Sequence, residues 1–211
     1  MRRAELASSD PDLFQFLAEH CREGYLSLVT ASGFPRSLAV DFAAIGQSIY
    51  YHGALAGEKY ERILADSRVG FSMVQPLSFI PSTWSSPTFA CPATHLFRSV
   101  EIKGHCFLLD DPVEKVRGLQ ALMTKYQPEG GYIPIKGEEN TYRKAIDGVG
   151  VFRVDPQSWT AKVKLMQNES ARNVWEVVDH LRKRGEPIDL LTADLMEQNR
   201  NENGAGRTDP A

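Results

Sequence analysis

Between Ile49 and Lys59 the chain reads Ile-Tyr-Tyr-His-Gly-Ala-Leu-Ala-Gly-Glu-Lys. An apolar strand pattern there runs into small residues and opens a helix. A helix start carries unsatisfied backbone N–H groups and the positive end of the helix dipole, so it suits an anionic group. Gly53, Ala54, Ala56 and Gly57 leave room for a phosphate to approach the backbone. Lys59 falls in the first helical turn, where a cation is unfavourable for the helix itself. A bound phosphate accounts for that charge; an ordinary turn with a surface lysine is the alternative. Arg36 starts the strand expected to pair with Ile49 to His52, and its forked donors suit the same phosphate. A solvated strand-end arginine is the plain reading of that residue.

The elements that must position these groups are legible in outline. Asp10 and Pro11 announce a helix carrying Leu13, Phe14 and Leu17, expected to end near Gly24. Residues 25–30, 36–43 and 48–52 read as strands, with Gly33 in the first turn and Gly46 in the second. A short helix follows Gly57, then a strand over 69–74. Residues 75–94 read as a long Pro- and Ser-rich loop carrying Phe79, Trp84 and Phe89. Strand structure resumes over 96–109, with Gly104 as a bend or bulge. Asp111-Pro112-Val113-Glu114 has the form of a capped helix start. Strands at 149–154 and 159–165 come next, then a helix over 169–184 capped by Asn168 and a last short helix over 190–196. No repeat and no alternation of strands and helices is present, which points to a small β-barrel with helical additions. The expected organisation is one domain over residues 1–198 and a disordered tail over 199–211.

Composition narrows the function. The 211 residues carry a formal net charge of −3, so no global positive field recruits nucleic acid. No apolar run approaches the length of a membrane span. No apolar segment follows Met1-Arg2-Arg3, so no secretory signal is read and the expected location is the cytoplasm. Cys91, His95, His105 and Cys106 could be imagined as a zinc set. However, His105 and Cys106 are adjacent, and neighbours on a strand face opposite ways. Only Cys91 and His95 have usable spacing, and no metal is expected.

Taken in order, these motifs resemble the pyridoxamine-phosphate-oxidase-like FMN-binding split barrels, and most of all their nitroimidazole-resistance branch. The resemblance covers residues 20–195. It includes the strand ending in Tyr51-His52 with Gly57-x-Lys59 after it, Val69-Gly70-Phe71, Cys91 ahead of Phe97-Arg98-Ser99-Val100, Gly104, and Glu114-Lys115 with Leu119 and Leu122. Residues 123–132 and Lys164 with Gln167-Asn168 also match members of the group. The fold so implied is mainly β, a six-stranded antiparallel Greek-key split barrel with added helices. The implied cofactor is FMN, held at the interface of a homodimer.

By the same resemblance the family's Arg-x3-Lys strand falls on Arg36, Ser37, Leu38, Ala39, Val40 and Asp41, whose backbone lines the flavin ring. Asp41 stands where the family has lysine. Tyr51 and His52 take the place of a Tyr-Thr pair, Lys59 keeps the phosphate lysine, and Ser99 takes the place of a partner-subunit residue. His52 is implied to lie beside the flavin, where an imidazole could donate a proton. A histidine satisfying loop carbonyls is the alternative. Pyridoxal-binding residues of the true oxidases have no counterpart here, which argues against vitamin B6 as substrate. Trp84, Phe79 and Trp159 are candidates to shield the flavin or simply to pack. The expected function is an FMN-dependent oxidoreductase taking electrons from NADH or NADPH and giving them to a small organic acceptor. A flavin- or haem-binding sensor without turnover is the rival, with His52, His95 or His105 as possible axial ligands, and a deazaflavin is a third possibility.

Overall fold

The computed structural model describes residues 4–8, 10–136 and 140–204. The first short strand, β1 (Ala7–Ser8), precedes α1 (Pro11–His20), which opens as expected: the Asp10 side chain accepts from the Asp12 amide at 2.9 Å, and Pro11 stands at the first helical position. Leu13, Phe14 and Leu17 are its buried stripe. The helix stops at His20 because Gly24 is already inside β2 (Glu23–Val29). A Cβ on Gly24 would lie 2.1 Å from the Phe71 ring, so only glycine fits at that point of the strand.

The expected second strand divides at Phe42. β3 (Pro35–Asp41) pairs with β2 residue by residue, from Glu23 opposite Asp41 to Val29 opposite Pro35. β4 (Ala43–Ile45) then pairs with β5 (Ser48–Gly53). Arg36 therefore belongs to a strand paired with β2 and not, as expected, to one paired with residues 49–52. The division has a local cause. Phe42 is fully buried, its N–H donates to the Tyr126 hydroxyl at 2.9 Å, and its carbonyl lies 3.0 Å from the same oxygen. Its N–H is satisfied by a side chain and not by a ladder, and the single proton of that hydroxyl is shared between the carbonyls of Arg22 and Phe42.

After α2 (Glu58–Ala65) come two long strands, β6 (Arg68–Ile80) and β7 (Thr94–Leu108). The expected loop over 75–94 is thus shortened at its start by six strand residues, 75–80, and a 3-10 turn sits at Ser82–Trp84. α3 (Pro112–Tyr126) starts at the Asp111 cap, which accepts from the Val113 amide at 3.0 Å. α4 (Asn140–Gly148), which the sequence pattern did not announce, leads to β8 (Gly150–Lys164), one strand where two were expected. α5 (Ala171–Arg184) is capped by Ser170 and not by Asn168, and it ends on Arg182, Lys183 and Arg184 before the left-handed Gly185. α6 (Pro187–Gly204) is longer than the helix expected over 190–196 and runs past residue 198; the rest of the tail, 205–211, lies outside the described residues. Among the described residues no helix is long and apolar enough to cross a membrane.

The protein is mainly β, an antiparallel sheet with helices added, as expected; it has eight strands among the described residues and not six. The chain divides into two compact units. One comprises Asp10–Met73 and Val100–Thr160, and its strands run in the order β3-β2-β6-β7-β8-β5-β4, with β3 at one edge. Its core includes Leu26, Phe71, Tyr51 and Phe152. The other comprises the remaining lengths of β6, β7 and β8 with β1, α5 and α6. There Leu77, Leu96, Val177, Leu181 and Met196 form a buried cluster, and the fully buried Asp189 is held by Arg184 at 2.5 Å and by the Ser78 hydroxyl at 2.6 Å.

Gly104 lies within β7, and a Cβ there would sit 2.3 Å from the Asp155 carbonyl oxygen of β8. Backbone cannot yield as a side-chain tip can, so Gly104→Ala is expected to destabilise the fold by about 2 kcal/mol. Urea titration should show a lower midpoint with an unchanged slope.

Lys125 of α3 is half-buried, 3.6 Å from the Phe42 ring centroid, and donates to the Ala18 carbonyl at 2.8 Å. Burial lowers its pKa to about 8, against the opposing pull of Cys21, Asp41 and Glu23. A lysine depressed in the folded state leaves the unfolded chain holding more protons between pH 8 and the ordinary lysine range, so stability rises with pH across that window. The wild-type urea midpoint is expected to climb relative to that of Lys125→Met on going from pH 7 to pH 10. Parallel behaviour of the two proteins would refute the assignment.

Candidate functional site at the start of α2

Arg36 does reach the start of α2, by the β2–β3 hairpin. Its guanidinium forms an ion pair with Glu58, the first residue of the helix, and both side chains are nearly half exposed. Arg62, one turn on, donates from Nε to the Val29 carbonyl at 3.0 Å and holds the helix against the end of β2. Ile63 on the same helix is buried. The entry to α2 is open. Gly57 takes φ +92°, a left-handed value that favours glycine, and no side chain caps the helix. Ala54 to Gly57 are exposed.

Lys59 turns inward. Its Nζ lies 5.1 Å from the Tyr51 ring centroid and 5.9 Å from that of Phe152. Those rings stack at 5.0 Å and 8° because Tyr51 and Phe152 are opposite one another in the β5–β8 ladder. A Cβ on Gly53 would lie 2.9 Å from Lys59 Nζ, so glycine provides the space for the ammonium group. Burial lowers the pKa of Lys59, and the neighbouring Cys106 partly opposes this. Beneath, the Tyr51 hydroxyl and Cys106 Sγ are 3.3 Å apart. Burial pushes the Cys106 thiol up to about 11 and raises Tyr51 as well, so both are neutral near pH 7.

His52, next along β5, is exposed, and its side chain makes no hydrogen bond among the described residues. On β3, Ser37 Oγ lies 2.8 Å from Ser27 Oγ; Ala39 and Asp41 are exposed, Leu38 is half-buried and Val40 is buried. Because β3 ends the strand order, one of its backbone edges has no ladder partner among the described residues. The structure thus sets Arg36 against Glu58 and Lys59 over Tyr51 at the first two residues of α2. Ser99 is buried on β7 in the other compact unit.

Sequence reasoning missed Glu58 as the partner of Arg36, and Phe152 and Cys106 as the surroundings of Lys59 and Tyr51. All three depend on strand pairings that no local motif encodes. Trp159 packs on Phe14 at 5.6 Å, Trp84 stacks on His180 at 4.8 Å, and Phe79 is half-exposed. His95 Nε2 lies 2.8 Å from the Leu77 carbonyl, and His105 Nδ1 lies 3.0 Å from the Ser67 hydroxyl. Among the described residues no group of three or more metal-ligating side chains is assembled.

Comparison with solved structures finds the same fold repeatedly. A candidate 5-nitroimidazole antibiotic resistance protein from Bacteroides thetaiotaomicron superposes with a TM-score of 0.62 at 16% identity, over 75% of this chain and 86% of that one. An FAD and heme binding protein from Mycobacterium smegmatis gives 0.63 at 14%, over 80% and 78%. A flavocytochrome from Azotobacter vinelandii gives 0.62 at 18%, over 75% and 69%. Comparison with curated protein sequences finds no match. The sequence model of pyridoxamine 5'-phosphate oxidase matches residues 17–163, well over half of the chain and nearly all of the strands described above, and on that match the protein belongs to the pyridoxamine 5'-phosphate oxidase family.

Proposed function

We propose that this protein is an FMN-binding flavoprotein, an oxidoreductase that passes electrons from NADH or NADPH to a small organic acceptor. In this reading it works as a homodimer with the cofactor at the subunit interface, in the manner of the nitroimidazole-resistance branch. The observation that carries the reading is Arg36 held at the uncapped start of α2 with a carboxylate, Glu58, already against its guanidinium.

The residues present fit the cofactor. Arg36, Lys59 and the open amides of α2 supply the charge and donors that a phosphate needs, and the exposed Ala54, Ala56 and Gly57 leave it room. The free edge of β3 over Ser37, Leu38, Ala39, Val40 and Asp41 offers alternating N–H and C=O groups to the polar rim of a flavin ring. Tyr51 and Cys106 stay neutral and keep the floor under Lys59 free of a competing anion. His52, exposed on β5, would in this reading hold a proton at a ring nitrogen for delivery to the acceptor. Ser99 would contribute from the partner subunit. A bound flavin supplies hydride and electron transfer, while the chain provides binding, orientation and exclusion of water. The exposed His52, whose side chain has no partner among the described residues, favours a second reading, a sensor without turnover in which its imidazole would hold a haem iron.

Purified without added cofactor, the protein should show a flavin spectrum and release FMN on denaturation; a haem spectrum would select the sensor. Sustained oxidation of NADH or NADPH with an electron acceptor would support the enzyme. Arg36→Ala and Lys59→Met are each expected to weaken FMN binding about ten- to a hundredfold, the worth of a charge-assisted hydrogen bond. Unchanged FMN affinity in both variants would remove the phosphate site from this place.

Glu58→Gln tests the same site with the opposite sign. A cofactor phosphate must displace the Glu58 carboxylate from Arg36, so neutralising it should tighten FMN binding severalfold. Looser binding would mean that Glu58 supports the site and does not compete for it.

A further inference from the structure

A second cleft lies on the other face of the same strands. Strand neighbours point to opposite sides, and Arg36 pairs with the inward-facing Leu28, whereas Pro35 pairs with Val29 on the outer face. On that outer face a cleft of about 400 Å³ is lined by Val29, Pro35 and Gly70, with Arg68, Lys103 and His105 among its remaining residues. The volume lies within the range of small-molecule sites. Its lining residues include cations and no carboxylate. Arg68 is already oriented: Nε and Nη2 are held by Asp66, at 2.9 Å and 2.7 Å, which leaves Nη1. His105 is fixed through Nδ1 by the Ser67 hydroxyl, which leaves Nε2. Lys103 is exposed, and its side chain has neither an ion pair nor a hydrogen bond among the described residues.

We propose that this cleft is a second ligand site that binds a mononucleotide-sized molecule, with its phosphate against Lys103, Arg68 and His105 and its flat ring over Val29, Pro35 and Gly70. A phosphate matches the chemistry better than a neutral ligand does. Three donors of positive or ionisable type line the cleft, the one carboxylate described beside it, Asp66, is taken up by Arg68, and a forked guanidinium with a free Nη1 and an ammonium suit a dianion. An apolar strip of side chains and a glycine suits a planar ring. The site is independent of the cofactor assignment, because Pro35 and Arg36 direct it and the α2 site to opposite faces of β3.

The test uses 5'-AMP as probe in isothermal titration, on the full chain saturated with FMN so that the α2 site is closed to it. FMN loading is read separately from absorbance, and if none loads the same titrations are run on the protein as purified. The expected result is saturable binding of 5'-AMP, binding of adenosine at least tenfold weaker, and about a tenfold loss for Lys103→Gln, a surface change that should leave FMN content and thermal midpoint as they were. Arg68→Gln should weaken binding as well. The proposal is overturned if 5'-AMP does not bind, if adenosine binds equally well, or if Lys103→Gln has no effect. It is also overturned if Lys59→Met abolishes binding while Lys103→Gln does not, since the probe would then occupy the α2 site.

Discussion

The contact between Arg36 and Glu58 joins the free edge of the sheet to the start of a helix, and the candidate site is built around it. As an exposed ion pair it contributes little stability. Its consequence is positional. A guanidinium beside a helix N-terminus would be repelled by the dipole, and Glu58 in the first turn offsets both charges. What holds the helix there is independent of that pair: Arg62 reaches the Val29 carbonyl, and Ile63 is buried. Arg36 can therefore exchange its partner without loss of the α2 anchor.

Lys59 shows a complementary constraint. A cation in the first turn of a helix ought to extend into water, yet this one lies over two stacked rings in a space that Gly53 leaves open. Attraction to the ring faces offsets part of the cost of partial burial. Tyr51 and Cys106 satisfy one another, so no buried anion fixes the lysine in place. The two cations at the start of α2 are thus held by weak, exchangeable contacts, while the framework under them is fixed by core packing.

The legible parts of the sequence were those governed by local chemistry. Asp10-Pro11 and Asp111-Pro112 declare helix starts because the cap and the missing N–H act within one turn. The start of α2 was legible from a different local sign, the small residues ending in Gly57, whose φ of +92° favours glycine. Strand lengths were not, because β6 continues through Pro76 and β8 through Pro156, residues that normally end strands. The division at Phe42 was hidden because an apolar residue in an apolar pattern gives no sign that a tyrosine 84 positions later will take its backbone groups. That single division changed the partner of β3, and with it the route by which Arg36 reaches the site. α6 was underestimated because its polar second half has no apolar stripe to read.

The departure at Asp41, where the family resemblance calls for lysine, illustrates how a local reading can mislead. Taken alone, the change removes a positive charge from the end of β3 and adds a negative one. In the folded protein Lys125 of α3 lies within electrostatic reach of Asp41, its ammonium group over the Phe42 ring and on the carbonyl of Ala18. The positive charge near this end of the strand comes from a helix and not from the strand itself, and Asp41 helps to keep it protonated against the cost of burial. Position by position, the motif is broken; in three dimensions a cation still stands near its end, supplied by a residue 84 positions further along the chain.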